Sequence, residues 1–177
     1  MSALRLYILP TLCLLSGCAN IPDSYAPPAQ RQLLDEAELS VVGCFVDMAD
    51  PKAEAHIVGD VNDGLEGGSG RSTRKRPELR FFLDSIERLT FKLDFSIAEA
   101  TFRDTGPVAI TVFINDNLLD KIECPGAGEK HFQKPVPAKF LRPKSMNYTA
   151  LWIDKVWLPK TYDEIQGFIL TRAGFIR

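Results

Sequence analysis

Histidine is scarce in this chain: only His56 and His131 occur among 177 residues. Neither has a Cys, His or acid nearby at zinc-ligand spacing, so no metal site is expected. Acyl transfer needs a nucleophile beside a base, and Gly67-Gly68-Ser69-Gly70-Arg71 lacks the last glycine of a nucleophile elbow. No catalytic residue is expected. No apolar run approaches the roughly 20 residues of a membrane-spanning helix. Charge of one sign is also missing: 21 cations face 23 acids, which excludes a broad field for gripping a nucleic-acid backbone. There is no internal repeat, and no strong amphipathic helix follows residue 40. What is present is an ordinary globular composition, 45% hydrophobic and 25% charged, of a length that suits one domain.

The first residues are distinctive. Arg5 precedes an apolar stretch from Leu6 to Leu15, the charged and apolar regions of an export signal. Leu15-Ser16-Gly17-Cys18 follows. This spacing resembles the lipobox of bacterial lipoproteins. The resemblance implies that residues 1–17 are a signal peptide, cut before Cys18, and that Cys18 carries a diacylglycerol and an acylated amino group. Several acyl chains anchor stably, at about 0.8 kcal/mol per buried methylene. By the same resemblance, Ala19 after the cysteine favours the outer membrane over the inner membrane. Residues 18–37, with Pro22, Pro27 and Pro28, read as an extended tether, and Gln32 to Leu39 as a short helical turn.

Residues 38–177 form the expected domain. With Cys13 inside the signal and Cys18 lipidated, Cys44 and Cys124 remain. In an oxidising compartment they form either a disulfide or two separate buried thiols. The domain reads as strands. Val41–Val46, Ala55–Val61, Leu79–Asp84, Lys130–Val136 and Gly167–Ile176 are short apolar or mixed runs. In Leu89-Thr90-Phe91-Lys92-Leu93-Asp94-Phe95, apolar and polar residues alternate, which means a sheet with one wet face. Val108–Ile114 and Leu118–Cys124 flank Asn115-Asp116-Asn117, a hairpin turn built from residues that tolerate positive φ. The fold class expected is all-β, an antiparallel β-sandwich.

Ile114-Asn115-Asp116-Asn117, Pro135-Val136-Pro137, Leu141-Arg142-Pro143, and then Pro159, Asp163 and Gly167-Phe168-Ile169-Leu170 follow one another from about Gly59 onward. This order resembles jelly-roll-like β-sandwich domains of bacterial envelope and glycan-processing proteins. The chain departs from that pattern at Asn117, where glycine is usual, and at Gln166, where an aliphatic residue is usual. The resemblance implies a jelly-roll-like sandwich and a carbohydrate-binding-like role.

Three segments carry candidate chemistry. Tyr148, Trp152 and Asp154 share one face of a strand if Leu151 and Ile153 face the core, and Trp157 and Tyr162 follow in the next loop. Aromatics offer flat apolar faces to sugar rings, so these five form a candidate ligand patch. Arg71, Arg74, Lys75 and Arg76 extend a glycine-rich segment, Gly64 to Thr73, that reads as a mobile surface loop. They are candidate contacts for an anionic surface. Asp60-Val61-Asn62-Asp63-Gly64 resembles half a calcium loop but is one residue short, so it reads as an Asx-rich turn without metal. No cofactor is expected: the glycine spacing is wrong for a phosphate cradle, and Arg71 stands where lysine is needed.

The function expected is that of an envelope-anchored lipoprotein whose sandwich is a non-catalytic binding or assembly module. Its partners are the membrane, through Cys18, and an envelope protein or polysaccharide. A carbohydrate-binding module for envelope or capsular polysaccharide is the first alternative. An envelope hydrolase, with paired acids from distant strands, is the second.

Overall fold

The computed structural model describes residues 41–158 and 165–177. The signal segment, Cys18, the tether, the turn over Gln32–Leu39, and Pro159, Tyr162 and Asp163 lie outside the described residues.

Among the described residues are nine strands: β1 Phe45–Asp47, β2 Ile57–Glu66, β3 Gly70–Leu83, β4 Thr90–Ile97, β5 Val108–Ile114, β6 Asn117–Cys124, β7 Gly128–Pro135, β8 Ser145–Ile153 and β9 Ile169–Ile176. All pair antiparallel, in the order β6-β5-β8-β3-β9-β4-β7, with β1 on β9 and β2 on β3. β3 links the two layers of the sandwich. Its residues 78–83 pair with β8, while Arg71 and Ser72 pair with β9. One layer is β2-β3-β8-β5-β6 and the other β1-β9-β4-β7. The chain crosses between them at β1→β2, β3→β4, β4→β5, β6→β7, β7→β8 and β8→β9, which is the jelly-roll-like pattern.

The alternation read from the sequence accounts for the core. Leu79, Phe81 and Leu83 of β3, Ile110 and Val112 of β5, and Leu151 and Ile153 of β8 point inward from one layer. Phe91 and Leu93 of β4 and Leu170, Ala173 and Phe175 of β9 meet them from the other. Phe175 lies edge-on to Phe81 at 5.5 Å and to Phe91 at 5.4 Å, pairings worth about 0.5–1.5 kcal/mol each beyond area burial.

The β5–β6 turn forms where expected. Asn115 and Asp116 both have positive φ, 45° and 66°. This is the combination that matches strand twist in a tight hairpin.

The segment from Gly64 to Thr73 is not a loop. β2 and β3 run as a hairpin through it, and the turn is confined to the residues between Glu66 and Gly70. Gly67 and Gly68, with φ of 59° and 74°, supply that turn. Glycine density misleads here because Gly70 serves a close approach to β9, where a Cβ would meet Ile169 Cγ2 at 2.7 Å, and not a loop. Within the hairpin, Asn62 Nδ2 donates to Ser72 Oγ at 2.9 Å, and Asp60 Oδ2 accepts from the Arg76 N–H at 2.9 Å. The acidic and amide side chains of the expected Asx turn thus tie β2 to β3.

The cysteines are both free. Cys124 is buried at the end of β6, opposite Val108. Cys44 is exposed before β1, its carbonyl accepting from the Phe175 N–H of the neighbouring β9. The disulfide alternative is therefore replaced by one buried and one exposed thiol. Burial pushes the Cys124 thiol pKa up.

Candidate functional site

The outer face of the β3-β8-β5-β6 layer can be built from register alone. Trp152 pairs with Thr111, Ala150 with Phe113, Ala150 with Glu78 and Tyr148 with Arg80. Directly paired residues share a face, so Trp152, Ala150 and Tyr148 of β8 lie with Thr111 and Phe113 of β5 and Glu78 and Arg80 of β3. Two residues before Glu78, Arg76 comes level with Trp152. Leu118, paired with Phe113, continues the face onto β6 and is 58% exposed.

Trp152 dominates this face. It is 41% exposed, although large aromatics usually end in the core. Its ring centre lies 4.7 Å from that of Phe113, tilted by 48°, and 4.4 Å from Arg76 Cζ. Ala150 is the small residue between Trp152 and Tyr148, which stand about 13 Å apart along an extended strand. The result is a row with an aromatic at each end, Phe113 standing on its β5 side and Glu78 and Arg80 on its β3 side.

The frame beneath is hydrogen-bonded. Asp154 Oδ1 accepts from the Ala109 N–H at 2.8 Å, locking β8 to β5 beside Trp152. At the far end, Asn115 Oδ1 accepts from the Tyr148 N–H at 2.9 Å, and Asn115 Nδ2 donates to Asn147 Oδ1 at 2.8 Å. Asn147 is fully buried and also binds both polar groups of the Arg142 backbone at 2.8 Å. The hairpin turn read from the sequence thus also anchors the Tyr148 end of the row.

Tyr148, Trp152 and Asp154 do share the outer face, as expected. Trp157 sits apart. It is half-buried in the segment after β8, bonded through its backbone to Gln166. Of the four cations, Arg74, Lys75 and Arg76 are exposed in β3. Arg71 is a correction, because it is 5% exposed. Its Nε donates to the Met48 carbonyl, and its Nη1 lies 3.7 Å from Glu54. It cannot reach an anionic surface. Phe113 was legible, since Val108, Ile110, Val112 and Ile114 claim the inward positions of β5. Arg76 beside Trp152 was not, because it depends on how β3 and β8 align.

The opposite layer presents a different group. Asp94, only 3% exposed, receives His131 Nδ1 at 2.9 Å on Oδ1, with Arg172 Nε at 3.2 Å and Lys92 Nζ at 3.3 Å from Oδ2. The contacts to Oδ2 are ion pairs without hydrogen-bond alignment. Burial raises the Asp94 pKa, but the His131 hydrogen bond and the Lys92 and Arg172 charges outweigh it, and the net shift is downward. One buried carboxylate thus faces two cations and the His131 ring. An apolar cavity of about 1220 Å³ opens where β1 begins and β9 ends, lined by Val42, Phe82, Leu83, Leu89, Met146 and Phe175 among others.

No protein-family model and no curated protein matches the chain. The solved structures that match include carbohydrate-binding modules and larger glycoside hydrolases. One is the CBM36-1 domain of a multidomain xylanase from the hindgut metagenome of Trinervitermes trinervoides, with 9% identity, TM-score 0.47, and coverage of 75% of this chain and 95% of that one. A second is the module CBM36 in complex with calcium and xylotriose, with 10% identity, TM-score 0.43, and coverage of 75% and 98%. A third is CBM35 from Paenibacillus barcinonensis, with 11% identity, TM-score 0.39, and coverage of 76% and 99%.

Proposed function

We propose that this chain is a non-catalytic glycan-binding module, held on the bacterial cell envelope by lipid on Cys18. The observation that carries the binding half is the exposed Trp152 at one end of the Tyr148–Ala150–Trp152 row. An indole on a rigid strand offers a flat apolar face at low entropic cost. Glu78, on the same face beside Ala150, suits the hydroxyls of a sugar. The anchoring half is supported by Leu15-Ser16-Gly17-Cys18, with Ala19 favouring the outer membrane.

Tryptophan fluorescence of the full chain, titrated with purified envelope and capsular polysaccharides, tests the first half. A saturable change that weakens at least about tenfold in Trp152→Ala is expected. No change across the panel overturns it. Cys18→Ala tests the second half: lipid labelling and membrane retention should both be lost, and normal retention refutes the anchor.

The apolar cavity beside Val42 and Phe175 favours a second reading, an assembly module that docks a protein partner. Cross-linking in the native envelope tests it, and a single partner captured through this pole supports it.

A further inference from the structure

We propose that the glycan is acidic, a polysaccharide bearing uronate carboxylates, and that Arg76 selects it; this rests on the glycan-binding reading above. Arg76 is held in β3, with its N–H on Asp60 Oδ2. Its guanidinium lies over the Trp152 ring, 4.4 Å from the centre. A sugar approaching that face of the indole meets the guanidinium first. A neutral sugar must move Arg76 aside, sacrificing a cation–π contact, and offers its charge nothing in return. A uronate carries a carboxylate at its ring edge. The planar guanidinium can donate two parallel N–H···O bonds to that group as it swings off the indole. Arg76 thus works as a cover that an anionic ligand opens and a neutral ligand only displaces.

The charges around the platform agree. Arg74, exposed two residues before Arg76, adds a second cation on that side. The acids on this face are engaged. Asp154 accepts from the Ala109 N–H, Glu123 pairs with Lys121 at 2.8 Å, and Glu78 also has a partner. Arg76 takes part in none of the ion pairs among the described residues. A guanidinium stacked on an exposed indole with no carboxylate of its own is prepared for one from outside.

The test is calorimetric titration of the full chain in detergent micelles. The probes are trisaccharides of galacturonate, glucuronate and guluronate, each beside its methyl ester, together with neutral envelope polysaccharides. At least one uronate should bind about tenfold or more tighter than its ester, and the gap should shrink as salt rises. Arg76→Gln should abolish the gap while leaving ester binding unchanged or stronger. Lys75→Gln, which removes the neighbouring exposed cation, should preserve the gap. Equal affinity for acid and ester, a gap that survives in Arg76→Gln, or binding confined to neutral polysaccharides each overturns the acidic assignment. In those cases glycan binding itself stands as long as Trp152→Ala abolishes it. If no sugar of any charge binds, the glycan-binding reading fails and takes this inference with it.

Discussion

Replacing Asn147 by alanine should be among the most damaging single polar deletions in the domain. Asn147 has no exposed surface. Its amide oxygen accepts from Asn115 Nδ2 and from the Arg142 N–H, both at 2.8 Å. Its amide nitrogen donates to the carbonyls of Arg142 at 2.8 Å and Ser145 at 3.0 Å. Every donor and acceptor of the side chain is used. Each bond is worth about 1 kcal/mol net, so the four together come to roughly 4 kcal/mol. That is a large part of the roughly 5–15 kcal/mol that holds a domain of this size together. Urea unfolding followed by circular dichroism should show a midpoint lowered by about 2 M, with little change in slope. Asn62→Ala is the control, because Asn62 donates one part-buried bond, to Ser72 Oγ at 2.9 Å. It should cost about 1 kcal/mol or less. If Asn147→Ala costs no more than Asn62→Ala, the network is not the clasp described here.

Three further outcomes are expected. Gly174 has φ of 146°, and a Cβ there would stand 2.5 Å from both the Cys44 oxygen and Phe45 Cα. Gly174→Ala should therefore lower Tm by at least about 5 °C, whereas Gly126→Ala, with open space around it, should be nearly silent. Asp94 has a folded pKa below its ordinary 3.8, so its stabilising contribution is complete above that value and is lost as pH falls through the folded value. The Tm advantage of the wild type over Asp94→Asn should accordingly shrink in melts taken from neutral pH down to about pH 2, and a constant gap contradicts the pairing. Peptide mapping after native alkylation should find Cys44 modified and Cys124 protected until the protein is denatured. A linked Cys44–Cys124 peptide would overturn the two-thiol arrangement.

The strands with period-two patterning were readable. Thr90-Phe91-Lys92-Leu93 in β4 and Leu151-Trp152-Ile153 in β8 carry their inward and outward faces in the residues themselves. Physically, a pleated strand sends successive side chains to opposite faces, so a local pattern suffices. The Asn115-Asp116 turn was legible for a similar reason, since positive φ selects these residues locally. The β2–β3 hairpin was misread because its cations and glycines resemble a solvated loop. What makes it a strand pair is register with a partner, and Arg71 is drawn inside by the Met48 carbonyl and by Glu54.

By itself, then, the sequence determined that the domain is a layered antiparallel β-structure, that Leu151 and Ile153 turn Trp152 outward, and that Leu15-Ser16-Gly17-Cys18 has lipobox spacing. Only the tertiary structure decided that Arg76 covers Trp152, that Phe113 stands beside it, and that Asn147 closes a network under Tyr148. Those contacts join segments far apart in the chain, here Glu78 to Ala150 and Phe113 to Ala150. Which strands become neighbours, and in what register, is settled when the two layers close on a shared core. No local pattern of residues encodes it.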